Sequence, residues 1–181
     1  MNKYVIFDRD GTLIDHIHYL KNPNLVKLTP GTAAGLQLLL INNYKFGIIT
    51  NQSIINRKIA TEQEVIDTNN KVRDICSDFK VYFDFIKYCP HTPEESCECR
   101  KPKIKLGKEV IMEFNIDSES SYYVGDQETD MEFALRLGLN PILIKKDNST
   151  DITANSLIFS DIFEAALYIT KTNFFGEKVR G

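Results

Sequence analysis

The apolar run Val5-Ile6-Phe7 leads directly into Asp8-Arg9-Asp10-Gly11-Thr12. Residues two apart on a strand face the same way, so Asp8 and Asp10 are predicted to converge where the strand ends and Gly11-Thr12 turns the chain. Neighbouring carboxylates repel unless a cation or a proton lies between them, and a hard divalent ion such as Mg²⁺ suits their oxygens. A second cluster runs Cys89-Pro90-His91-Thr92-Pro93-Glu94-Glu95-Ser96-Cys97-Glu98-Cys99. Its three thiols and one imidazole form the ligand set of a closed Cys₃His zinc site. Such a site leaves no position for water, so the zinc is predicted to be structural and to stiffen the loop. Cys76 stands apart, shares a helical stripe with Val72 and Phe79, and reads as a buried core residue.

Short apolar segments alternate with amphipathic ones over most of the chain. Strands are predicted at 4–7, 46–50, 85–88, 122–124 and 141–144, with a weaker sixth at 157–159. Helical periodicity covers 31–42 (Leu36, Leu39, Leu40), 61–79 (Val65, Val72, Cys76, Phe79), 105–114 (Leu106, Val110, Ile111, Phe114), 127–137 (Met131, Ala134, Leu135) and 161–170. Thr61-x-x-Glu64 has the form of a capping box. Strand–helix alternation implies parallel strands with crossover helices, hence an α/β fold with a Rossmann-like, doubly wound, mainly parallel sheet. One domain over 1–181 is expected, with a polar loop at 145–156 and a loosely held tail from 171. Polar residues collect after the strands: Asp8 and Asp10, then Thr50-Asn51-Gln52-Ser53, then Lys101 beyond the cysteine cluster, then Asp126 to Asp130.

Composition narrows the function classes. The 181 residues are 43% apolar and 26% charged, an ordinary balance for a soluble domain. A net charge of −3 argues against sequence-independent nucleic-acid binding. No apolar run approaches a membrane span, and Lys3 leads straight into a strand rather than a signal peptide. A cytoplasmic monomer acting on a small phosphorylated metabolite, without nucleic acid or membrane, is the expectation.

The ordered set over residues 4–130 resembles the haloacid dehalogenase-like phosphatases, which place four motifs at four strand ends. The resemblance implies that Asp8 is the nucleophile and Asp10 the general acid and base. It assigns Thr50 the hydroxyl of the second motif, Lys101 the lysine of the third, and Asp126 and Asp130 the acids of the fourth. Mg²⁺ would be held by Asp8, Asp126 and the backbone carbonyl of Asp10, with Asp130 orienting that shell. Lys101 and Thr50 would meet charge on the transferring phosphoryl oxygens. The zinc loop 89–99 resembles that of the subgroup acting on heptose bisphosphates or on histidinol phosphate, and the intervals leave no room for a large cap.

Between those two substrates the residues lean toward the sugar. Thr50-Asn51-Gln52-Ser53 resembles the heptose side, and implies that Asn51, Gln52 and Ser53 line the substrate. A bisphosphate needs a second anion site, for which Arg57 and Arg100 are candidates. His16, His18 and Tyr19, in the loop after the first motif, could hydrogen-bond sugar hydroxyls. Glu94, Glu95 and Glu98 could instead meet the amine of histidinol phosphate. Two departures from the heptose pattern, Ile54 for a glycine and Gln127 for a basic residue, are expected to touch the substrate mouth alone. A catalytically inactive, zinc-stabilised interaction module is the non-enzyme alternative.

Overall fold

The structure, a computed structural model, describes residues 1–145 and 157–176, with side chains described to 171. Six parallel strands form one sheet in the order β3-β2-β1-β4-β5-β6. They are β1 (Tyr4–Phe7), β2 (Lys45–Asn51), β3 (Phe83–Cys89), β4 (Tyr122–Gly125), β5 (Asn140–Ile144) and β6 (Leu157–Phe159). Between and after them run α1 (Thr32–Ile41), α2 (Glu62–Ser77), α3 (Lys105–Glu113), α4 (Glu128–Arg136) and α5 (Ile162–Gly176). The doubly wound expectation holds.

Both faces of the sheet are covered, so β1 is apolar throughout rather than alternating with polar residues. Val5 and Phe7 join the cluster that includes α1, α2 and α5, through Leu36, Leu39, Val72, Cys76, Ile162 and Ala166. Tyr4 and Ile6 face the other way, into a cluster with Val110 of α3 and Phe133 and Ala134 of α4. The capping box forms as read: Glu64 N–H donates to the Thr61 hydroxyl, and Thr61 N–H donates to the Glu64 carboxylate.

Several element details depart from the periodicity. Leu40 and Leu135, expected on core faces, are 37% and 48% exposed. Helix α1 is apolar almost all round, so its rotation is set by contact: a Cβ on Gly35 would lie 2.7 Å from the Ile162 carbonyl oxygen of α5. In α4 the buried aromatic is Phe133, whose ring meets Tyr123 edge-on at 5.0 Å. Helix α5 continues to Gly176, beyond the expected 170. The polar loop, apart from Lys145, and residues 177–181 lie outside the described residues.

Candidate active site

Strand β1 ends at Phe7, so the two aspartates lie beyond it and the pleat does not align them. Asp8 extends the ladder by one bond, its N–H donating to Val124 O at 2.9 Å. The chain then turns, with the Leu13 and Ile14 amides both donating to Arg9 O at 3.1 Å. Asp8, Asp10, Thr50, Lys101, Asp126 and Asp130 line one cavity of about 410 Å³, together with His16, Asn51 and Arg100. It sits at the carboxyl ends of the strands, where open α/β sheets bind ligands.

Lys101 is the hub. Its ammonium is buried and donates to Asp8 Oδ1 at 2.7 Å, Asp130 Oδ1 at 2.6 Å and the Tyr123 hydroxyl at 2.7 Å. Tyr123 passes its own proton to Ile49 O at 2.6 Å. Burial alone would lower the Lys101 ammonium, but the carboxylates of Asp130 and Asp8 outweigh it and raise it well above the ordinary lysine range. A buried charge persists only when paired in this way. Tyr123 carried no expectation; its signal is visible only once β4 is known to lie beside β1.

Three carboxylates, Asp8, Asp126 and Asp130, present oxygens within 4.8 Å of one another. Asp130 has none to spare. Its Oδ1 takes Lys101 and its Oδ2 accepts from the amides of Asp126 at 3.2 Å and Gln127 at 3.1 Å. Asp126 Oδ1 is buried without any hydrogen-bond partner, and burial raises its carboxyl; the bond from Gln127 opposes that, and the charge of Asp8 adds to it. Gly11, at φ 85, clears the approach: a Cβ there would sit 2.5 Å from Asp126 Oδ2. One lysine against three carboxylates, an orphaned oxygen and an all-oxygen donor set fit a hard divalent cation between Asp8 and Asp126.

Asp10 is held separately. Arg9 Nη2 donates to its Oδ2 at 2.9 Å and its Oδ1 at 3.1 Å, and Gln52 Nε2 donates to Oδ2 at 2.7 Å. Gln52, expected against substrate, lines a cavity beside Asp10 but is largely buried, its amide turned onto Asp10, the Thr50 hydroxyl at 3.0 Å and Arg9. Asn51 likewise spends both side-chain groups on the Lys101 peptide, accepting from its N–H at 3.0 Å and donating to its O at 3.2 Å.

A smaller cavity of about 170 Å³ brings His16, His18 and Tyr19 against Asp10, Gln52 and Ser53. His16 reaches both cavities. Arg100 lines the main one and an adjoining groove over the cysteine loop, and anchors to His91 O at 3.2 Å. Arg57 is exposed and lines none of these. Of the two departures, Ile54 is buried with Ala60 and Val65 and fastens the turn after β2. Gln127 is not confined to the mouth: its Nε2 donates to Asp126 Oδ2 at 2.8 Å, inside the carboxylate cluster.

The cysteine loop gathers its four donors. Cys89, Cys97 and Cys99 sulfurs and His91 Nδ1 lie within 4.8 Å of one another, with Cys99 Sγ 3.1 Å from Cys89 Sγ and 3.2 Å from His91 Nδ1. Three sulfurs and an imidazole nitrogen drawn this close form a donor set that fits a tetrahedral soft cation.

Comparison with known proteins shows the family and the fold. The profile of the family described as polynucleotide kinase 3 phosphatase matches residues 3–174. A probable D-glycero-D-manno-heptose-1,7-bisphosphate 7-phosphatase of Thermoplasma volcanium is 37% identical over 138 residues, 76% of this chain and 94% of that protein. The histidine biosynthesis bifunctional protein HisB of Legionella pneumophila is 34% identical over 160 residues, 87% of this chain but 46% of that protein, so the chain spans about half of it. In fold, the D,D-heptose 1,7-bisphosphate phosphatase of B. bronchiseptica, solved with magnesium and phosphate, superposes with a TM-score of 0.85 at 22% identity, over 94% of this chain and 99% of that one.

Proposed function

Because this chain belongs to the polynucleotide kinase 3 phosphatase family, within the haloacid dehalogenase-like phosphatases, we propose that it removes the 7-phosphate of D-glycero-D-manno-heptose 1,7-bisphosphate through an aspartyl-phosphate on Asp8. The observation that carries the reading is the buried Lys101 ammonium held on Asp8 beside the orphaned Asp126 oxygen. The proposal includes a cytoplasmic monomer.

Lys101 fixes one oxygen of Asp8 and leaves the other to the substrate. That oxygen bonds to phosphorus as the bond to the sugar's O7 breaks, and Asp10 gives its proton to O7 so that an alcohol departs. Asp10, now a carboxylate, takes a proton from water as the water oxygen attacks the aspartyl-phosphate. Inorganic phosphate leaves and Asp8 is restored. The Thr50 hydroxyl and Lys101 border the phosphoryl oxygens, where negative charge gathers. Mg²⁺, with Asp8, Asp126 and the Asp10 carbonyl as ligands, would neutralise the transferring group. Zinc on Cys89, His91, Cys97 and Cys99 would hold the loop that presents Lys101.

The HisB relatives support a second reading, histidinol-phosphate phosphatase. Two of the three loop acids that would meet its amine already have partners: Glu95 binds Asn56 and the Thr92 amide, and Glu98 pairs with Lys103. Arg100, by contrast, faces the main cavity, where a second phosphate would lie. Measuring kcat/KM for both phosphates with Mg²⁺ decides between them. We expect the bisphosphate to win by at least about tenfold and Asp8→Asn to abolish turnover; a histidinol phosphate preference reverses the assignment.

A further inference from the structure

Arg9 is among the largest side chains fully withdrawn from solvent in the described residues, at 1% exposure, yet it lies between the two aspartates of the site. An arginine so placed needs a partner for every donor or it costs several kcal/mol. Its partners come from three elements. Nη1 donates to Asn69 Oδ1 of α2 at 2.7 Å, Nη2 to Gln52 Oε1 after β2 at 2.9 Å, and Nη2 and Nε to the Asp10 carboxylate.

The fork does not treat the two carboxylate oxygens alike. Asp10 Oδ2 receives Arg9 Nη2, Arg9 Nε at 3.2 Å and Gln52 Nε2, whereas Oδ1 receives only Arg9 Nη2 at 3.1 Å. We infer that Arg9, braced by Asn69, is a positioning residue that saturates Oδ2 of Asp10 and so assigns Oδ1 to carry the proton exchanged with leaving group and water. A lysine could not reproduce this, since one ammonium cannot span Asn69, Gln52 and two sides of a carboxylate. Asn69 itself is buried and lines none of the cavities described, and its side-chain oxygen accepts from Arg9, so its effect on chemistry runs through Arg9.

The inference rests on the reading of Asp10 as general acid and base, and the test separates the two. Both candidate substrates are primary alkyl phosphates whose alkoxide cannot leave unprotonated, whereas p-nitrophenyl phosphate releases a stable phenolate. kcat/KM reports the steps up to leaving-group departure, so a defect in delivering the proton falls on the alkyl phosphate and largely spares the aryl one. Arg9→Met and Asn69→Ala are compared with Asp10→Asn on the better alkyl phosphate and on p-nitrophenyl phosphate. Arg9→Met is expected to lose about 100-fold on the alkyl phosphate, with a loss at least tenfold smaller on the aryl one. Asn69→Ala is expected to show the same split at about tenfold, and it decides the matter where Arg9→Met does not fold. Equal losses on both substrates, or none, from Asn69→Ala overturn the inference. If Asp10→Asn itself shows no split, the reading of Asp10 fails instead.

Discussion

Gly11 shows how little space separates the first motif from the fourth. Its φ of 85 disfavours any side chain, and a Cβ would enter the Asp126 carboxylate at 2.5 Å. Gly138 shares the first penalty, with φ 71, but its nearest neighbour would be Ser118 Cβ at 3.9 Å. Left-handed strain costs about 1–2 kcal/mol at either position. Gly11→Ala and Gly138→Ala are therefore expected to melt at similarly lowered temperatures, while only Gly11→Ala loses more than about 100-fold in kcat/KM with Mg²⁺. Parallel melting and kinetic measurements check this; equal kinetic losses would show that the Asp126 approach is not what Gly11 protects. At this scale Asp8, Asp10, Lys101, Asp126 and Asp130 were legible because they come in a set order after successive strands. Arg9, Tyr123 and Asn69 were not, since their importance lies in burial beside partners distant in sequence.

The elements bring Lys101 to Asp8 by two independent routes. One is the cysteine loop, which leaves β3 at Cys89 and returns through Cys99 immediately before Arg100 and Lys101. The other is Asn51 at the end of β2, whose side chain binds the Lys101 peptide at both its N–H and its O. Cys97→Ser is expected to remove zinc and lower the melting temperature, taking activity with it. Asn51→Ala is expected to keep about one zinc per chain yet lower kcat roughly 10- to 30-fold, the worth of two hydrogen bonds. Elemental analysis beside kinetics makes the comparison; wild-type kcat in Asn51→Ala would mean the metal loop alone places Lys101. Among the described residues, the six strands were readable as short apolar runs and the five helices as the longer segments between and after them. What periodicity could not supply was rotation: α1 is too uniformly apolar to mark its inner face, and Gly35 against Ile162 decides it. Buried Asp130 in α4 likewise breaks the apolar stripe, for the sake of Lys101.

At the scale of the whole molecule, the family's description names a polynucleotide, and charge weighs against that substrate for this chain. Duplex DNA carries a phosphate charge about every 1.7 Å, and its binders neutralise several at once with unpaired lysines and arginines. This chain has a net charge of −3. Among the described residues, three exposed cations are paired with acids, Lys87 with Glu113, Lys103 with Glu98 and Arg136 with Glu132. Of the described arginines, Arg100 alone lines the main cavity, which suits the proposed single second phosphate rather than a track of them. A 3′-phosphorylated oligonucleotide is therefore expected to be turned over with kcat/KM at least about 100-fold below that of the sugar bisphosphate. Its KM should change little between 50 and 200 mM salt, where a protein making 6–10 phosphate contacts would lose about 10³ to 10⁵ in affinity. Efficient oligonucleotide turnover with a steep salt slope would move the substrate from a small sugar to a nucleic-acid end. The chemistry proposed at Asp8 and Asp10 would stand unchanged, because it is a reaction at phosphorus and Lys101 donates to Asp8, Tyr123 and Asp130 whatever carries the phosphate.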